Sequence, residues 1–261
     1  MEAGQAIKDK WQVLEDLFLT ALPQVCSLCQ RRIVQGAFPS GICSFCLDEL
    51  PLRPPDKCFE MLQQPGQLGQ SAALPLFTAF YYEGSIRQAV TGLKFHERMD
   101  FAILIGDLLA QFWQREKRYR ANTRQADWLE AEVLIPVPLH AQRLRDRGYN
   151  QVELFAGQMA KNIGCSLDTD SLLRQKHTSR QSETVHREER LANVDEAFVC
   201  SAESTLRGKH IILMDDVIST GATLWQAALP LLKRGNQVTL LTLAGNRPID
   251  SSQGKSETIT Q

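Results

Sequence analysis

A chain of 261 residues, 43% of them hydrophobic, can bury a full core, either as one elaborated domain or as one domain with a small module. Its formal charge of -1 gives no global basic field, so composition implies no nonspecific nucleic-acid binding. No segment reaches the roughly eighteen uninterrupted apolar residues that span a bilayer. The first residues carry Lys8, Lys10, Glu15 and Asp16 and no signal-peptide core, so the expectation is cytoplasmic residence without membrane insertion.

Residues 5–22 predict an amphipathic helix, with Trp11, Leu14, Leu17, Phe18 and Leu22 along one side. Two C-x-x-C pairs follow, Cys26-Ser-Leu-Cys29 and Cys43-Ser-Phe-Cys46. Each pair can chelate one ion from a tight turn, and together they complete a tetrahedron, which predicts a structural Zn²⁺ site. A redox role would need only one pair beside a βαβ unit, and structural disulfides are disfavoured in a reducing compartment. Cys58, Cys165 and Cys200 stand alone and read as buried free thiols. Prolines 51, 54 and 55 mark the exit of this module, residues 1–55. Residues 56–73, rich in Gln, Gly and Pro, read as a linker, and a larger domain is expected over 74–247.

Within that domain, Leu76 to Tyr82 predict a strand, and Ile86 to Lys94 and Phe101 to Trp113 predict helices. The basic stretch from Arg115 to Asn122 reads as a solvated helix end. Val133 to Val137 predict a second strand, leading into a loop that carries Leu139, His140, Arg143, Arg145 and Arg147. Two readings of that loop stay open: a solvated basic loop, or a pyrophosphate holder built on planar guanidinium forks. Asn150 with Glu153 resembles a capping box opening a helix to about residue 162, with Gly164 as its stop. Residues 174–193 are almost purely polar, which suits a lid over a reactive centre, although the part from Glu183 on also reads as a charged helix. Ala197 to Cys200 read as a short strand, and the tail over 248–261 as disordered.

The most informative run is Ile211-Ile-Leu-Met-Asp215-Asp216-Val-Ile-Ser219-Thr220-Gly221-Ala222-Thr223-Leu224. Four apolar residues without alternation suit a strand buried on both faces. The strand is expected to end at the two carboxylates, at the edge where open α/β sheets bind ligands. Ser219 to Thr223 then form a compact turn with hydroxyls and backbone N–H groups, and a helix from Leu224 to Lys233 points its positive end there. This reads as a sugar-phosphate site, phosphate in the turn and sugar diol on the acids. Gly235 stops that helix, and Gln237 to Leu243 return as another apolar strand in a βαβ unit.

The run resembles the phosphoribosyl-diphosphate (PRPP) motif of type I phosphoribosyltransferases, with Ser219 where a Thr is usual. Together with the two C-x-x-C pairs, Leu93-Lys94-Phe95, Ile135-Pro-Val-Pro138, Arg147-Gly-Tyr-Asn150-Gln151 and the segment from Arg174 to Phe198, it resembles the ComF family, which includes GntX-like proteins. Many relatives carry further cysteine pairs, whereas Cys58 has no C-x-x-C partner. The resemblance implies an α/β, type I phosphoribosyltransferase-like fold: a mainly parallel twisted sheet, flanking helices and a small N-terminal zinc module. It implies Asp215 and Asp216 on the ribose, Ser219, Thr220, Gly221, Ala222 and Thr223 around the 5′-phosphate, and Mg²⁺ with PRPP. Lys94, Leu139, His140, Arg143, Arg147, Arg174 and Gln181 become candidates for the pyrophosphate and the lid. It further implies a phosphoribosyltransferase-like role in competence, with single-stranded DNA, a helicase-like ATPase and recombination proteins as partners. The alternative is a non-catalytic PRPP or nucleotide sensor or single-stranded-DNA adaptor, for which Trp113, Arg115, Lys117, Arg118, Tyr119 and Arg120 offer a basic, aromatic surface.

Overall fold

The computed structural model describes residues 25–33, 41–63, 73–95, 98–175 and 197–247. The chain divides into two units, Met1–Glu49 and Leu50–Gln261. The helix expected over 5–22, most of the polar segment 174–193 with Gln181, and the tail lie outside the described residues.

In the first unit, Cys26 and Cys29 sit on a tight turn. The Gln30 N–H donates to the Cys26 carbonyl, and Gln30 itself takes a left-handed φ of 60°. A short helix, α1 (Ser44–Asp48), starts directly after Cys43, whose sulfur accepts from the Cys46 N–H and caps it. Each cysteine pair is thus presented by a turn of the backbone.

The second unit is built on a six-stranded sheet in the order β1-β2-β8-β7-β3-β4. Its strands are β1 (Phe59–Gln63), β2 (Ala73–Tyr81), β3 (Val133–Pro136), β4 (Ser166–Leu167), β7 (His210–Ile218) and β8 (Gln237–Gly245). All pairings are parallel except β1 with β2. Continuous burial of β2, β3 and β8 explains their unbroken apolar composition, because helices and loops cover both faces. The helices are α2 (Gly84–Phe95), α3 (Asp100–Arg120), α4 (Ala141–Arg147), α5 (Gln151–Ile163) and α6 (Ala222–Leu232). A separate antiparallel pair, β5 (Leu172–Arg174) with β6 (Phe198–Cys200), packs with α6 against one sheet face around Leu213, Trp225 and Leu240.

Four details depart from the sequence reading. Residues 59–63, expected in a linker, form the antiparallel edge strand β1, registered residue by residue on β2 from Phe59↔Phe77 to Gln63↔Ala73. The basic loop after β3 is helical: His140 Nδ1 accepts from the Gln142 N–H to open α4, and Gly148 closes it in the left-handed region at φ 81°. β7 does not stop at the acids. It continues to Ile218, because β8 supplies partners for Asp215, Val217 and Ile218.

The fourth departure is the end of α3, which runs to Arg120 rather than fraying into solvent. Arg120 is buried and meets the fully buried Glu116 one turn earlier, Nε to Oε2 at 3.0 Å. Its Nη2 also donates to the Pro55 carbonyl at 2.7 Å, and the guanidinium lies over the rings of Phe59 and Phe77. Residues 55–59 therefore cover this helix end. The segment after Asn150 matches expectation: the Asn150 side chain accepts from Val152 N–H and donates to Glu153, and Gly164 ends α5 at φ 74°.

Candidate functional site at the carboxyl edge of the sheet

Side chains alternate along a strand, so neighbouring Asp215 and Asp216 leave β7 on opposite faces. Leu213, two residues before Asp215, belongs to the core under α6 and the β5–β6 pair. Asp216 meets the helices of the other face. Lys94 Nζ, from the last turn of α2, lies 2.5 Å from Asp216 Oδ2. Gln151 Nε2, at the first position of α5, donates to the same oxygen at 2.7 Å. The Val217 N–H donates to Oδ1 at 2.6 Å, so both oxygens of this buried carboxylate are engaged.

Asp215 is less completely matched. Its Oδ1 accepts from the Asp216 N–H at 2.8 Å. Burial and the adjacent Asp216 charge push its carboxyl up to about 7, against the pull of that N–H, Lys94 and Arg174. On the Arg174 side, burial and the neighbouring Arg143 lower the guanidinium, while Asp215 opposes them. Lys94 is paired with Asp216 and acts on Asp215 as well, Arg147 reaches Asp216 through Gln151, and Arg174 acts on Asp215 with Arg143 beside it.

Beyond the acids, Ser219 and Thr220 are exposed, and Gly221 turns the chain at φ 76° before α6. A side chain at Gly221 would be strained there, and a Cβ would stand 2.6 Å from Leu62 of β1. The Ala222 N–H points at the Thr220 hydroxyl at 3.4 Å, and the helix that follows directs its positive end to the turn. Of the remaining candidates, Leu139 and His140 are half-buried, and His140 serves as the helix cap of α4. Two residues of the site had no role in the sequence reading. Gln151 could have been noticed as a polar side chain at the first turn of an otherwise apolar helix face. The contact of Leu62 with Gly221 crosses about 160 positions of sequence and leaves no local signal.

The cysteine quartet is gathered as its spacing predicts: the four Sγ atoms lie within 4.8 Å of one another. Cys29 and Cys43 Sγ are 3.8 Å apart, the edge expected of a tetrahedron with Zn–S bonds of about 2.3 Å. Burial raises the Cys26 thiol, but hydrogen bonding from Cys29, Cys43 and Leu28 outweighs it and holds the thiol at about 6. The quartet is compatible with structural zinc. Cys58 lies in the other unit, its thiol donating to the Pro55 carbonyl at 3.5 Å.

Comparison with known proteins agrees with this geometry. Residues 153–250 match the phosphoribosyl transferase domain family. DNA utilization protein YhgH of Salmonella typhimurium is 28% identical over 212 residues, covering 81% of this chain and 85% of that protein. Competence protein F of Haemophilus influenzae shows the same identity and coverage. Competence protein ComFC of Bacillus subtilis is 33% identical over 108 residues, 41% of each chain. The chain is thus similar to ComF-type competence proteins and, over residues 153–250, to phosphoribosyl transferase domains. The matched segment runs from α5 through the acids, the turn and β8, whereas Lys94, Arg143, Arg147 and Gln151 precede it. Among the described residues no helix is long and apolar enough to cross a membrane.

Proposed function

We propose that this chain binds PRPP with Mg²⁺ at the carboxyl edge of β7 and is a phosphoribosyltransferase-type protein acting in the uptake and processing of single-stranded DNA during competence. The observation that carries the reading is the sequence of groups along one strand exit: two acids, a left-handed glycine turn, and a helix start. In this reading the Ser219 to Thr223 turn holds the 5′-phosphate through N–H groups and hydroxyls, and the acids hold the ribose hydroxyls. Lys94, Arg143, Arg147 and Arg174 face the diphosphate. Carboxylates and substrate phosphates are the oxygen ligands Mg²⁺ prefers, and Asp215, with one oxygen outside the hydrogen bonds described above, fits that set. When bound, Mg²⁺ neutralises charge on the departing diphosphate. Asp215 and Asp216 then favour the positive charge that builds on the ribose ring rather than attacking it.

Cytoplasmic residence belongs to the same reading and is supported by a metal-type quartet of thiols in place of disulfides. The zinc module would organise its own unit, and Cys29→Ser should lower zinc content from one ion per chain to a small fraction, measured by atomic absorption on the purified protein. The names of the relatives speak of DNA utilization and competence, which supports a role in DNA uptake; single-stranded DNA and a helicase-like ATPase with recombination proteins are the partners this reading expects. The second reading, a PRPP-sensing adaptor without turnover, is compatible with the same names.

The test is isothermal calorimetry of the full chain with PRPP and Mg²⁺. Asp215→Ala combined with Asp216→Ala should abolish binding while the fold persists by circular dichroism. Unchanged affinity in the folded double variant would sink the assignment. Slow release of pyrophosphate only when DNA or a nucleobase is added would favour transfer over sensing.

A further inference from the structure

The segment from Arg147 to Gln151 is laced to the last turn of α2 by consecutive contacts. The Arg147 guanidinium stands 6.0 Å from the Phe95 ring centroid, and the Tyr149 hydroxyl donates to the Leu93 carbonyl. Asn150 is pinned between them, its amide donating to the Val137 carbonyl at 3.1 Å. At the centre lies Gln151, buried, with Oε1 accepting from Arg147 Nη1 and Nε2 donating to Asp216 at 2.7 Å. Lys94 closes the row on the same Asp216 oxygen.

A carboxamide is the side chain that can do this, since it offers one acceptor and one donor group on a rigid plane. The two partners also fix its orientation: a guanidinium only donates and a carboxylate only accepts, so the reversed amide would face both ends wrongly. A glutamate would keep the bond to Arg147 and place a second negative charge against Asp216. A leucine of similar volume would release both ends. We propose that Gln151 is a positioning residue that ties Arg147, which faces the diphosphate, to Asp216, which faces the ribose and is itself paired with Lys94, so that the two walls of the PRPP site are set as one unit. This rests on the PRPP reading above. The row carries two cations and one anion joined through a neutral amide, so a ligand that draws Arg147 toward its diphosphate is felt at Asp216. The second acid, Asp215, lies outside this row and remains the freer of the two for the ligand.

The experiment measures PRPP affinity with Mg²⁺ by calorimetry for the full chain and for Gln151→Leu, Arg147→Ala and their combination. Each single change should weaken binding about tenfold, and the combination should be no more than about threefold weaker than the weaker-binding single variant. Losses that multiply, at unchanged melting temperature, would overturn the coupling while leaving the PRPP site in place. Gln151→Glu provides a second break should the leucine variant not fold, and is expected to weaken binding at least as much. If the unaltered chain binds no PRPP, the proposed function fails, and the coupling is then judged without ligand. In urea unfolding, Arg147→Ala and Asp216→Asn, which do not touch, should be non-additive when Gln151 is present and additive in the Gln151→Leu background. Additivity in both backgrounds would overturn the inference.

Discussion

Two carboxylates in this molecule are each held by cations, and they are held differently. Glu116 is fully buried beneath residues 53–59, with Arg115 on Oε1 at 2.7 Å and Arg120 on Oε2 at 3.0 Å. Burial, with the Glu116 charge, pushes the neighbouring Cys58 thiol up to about 11, so that group stays neutral; aromatic rings close over Arg120, and the Arg115 guanidinium also donates to the Arg53 carbonyl at 3.2 Å. Asp216 instead has a lysine, a compact charge on a flexible stem that is partly exposed, and a neighbouring acid whose proton is retained up to about 7. The first arrangement is matched and sealed, so it can only stabilise. The second is short of positive charge and opens at a sheet edge, so it has something left to give a ligand.

The largest expected effect breaks the sealed half of the comparison. Glu116→Ala leaves the Arg120 guanidinium buried without its counter-charge, and removing one partner of a buried pair costs about 3–5 kcal/mol. Urea unfolding should show a loss of that size, with little change in PRPP affinity per folded molecule. Asp216→Asn should do the reverse, removing ligand affinity at a stability cost well below that of Glu116→Ala. A Glu116 variant as stable as the parent would mean that residues 53–59 do not depend on this pair.

The second prediction uses pH. The Asp215 carboxyl titrates near pH 7 in the folded chain and at an ordinary carboxylate value, near 4, when unfolded. Between those values the folded state binds more protons, so this group lowers stability as pH rises from about 4 to 7, and its penalty is complete above 7. Asp215→Asn removes the titration. The stability gained by the variant relative to the parent should be near zero at pH 4 and grow to the order of 1–2 kcal/mol by pH 7.5. Ligand affinity should move the other way in the parent, strengthening between pH 6 and 8 as Asp215 ionises. A flat difference between the two proteins across this range would place Asp215 in solvent.

Much of this was legible because the relevant signals were local. The apolar run before Asp215, the Asn150 cap, the Gly164 and Gly221 turns and the paired cysteines each announce themselves within a few residues. The misread positions share a different cause. β1 looked like a linker because an exposed edge strand has no continuous apolar face, and its place depends on β2 beside it. Arg120 looked solvated because its burial comes from Pro55, Phe59 and Phe77, more than forty positions away. β7 outran its expected end because β8 continues to pair with it past the acids. Local chemistry located the two acids and the glycine turn at the strand exit. Which cations lock into the core was decided by segments distant in sequence.

The smallest effect sharpens what burial contributes. Lys117 and Glu130 approach to 2.9 Å on the same α3 end, yet both side chains are well exposed, Glu130 at 68%. In water the Coulomb gain of such a pair is offset by the cost of ordering two long side chains. Glu130→Ala should therefore change the urea midpoint by no more than corresponds to about 0.5 kcal/mol, and the change should shrink further in added salt. The Lys117 and Arg120 ammonium and guanidinium groups lie within one turn of each other on the same helix, so the two variants differ chiefly in solvent access. A Glu130 effect approaching that of Glu116 would show that the end of α3 is held by charge in general rather than by one sealed pair.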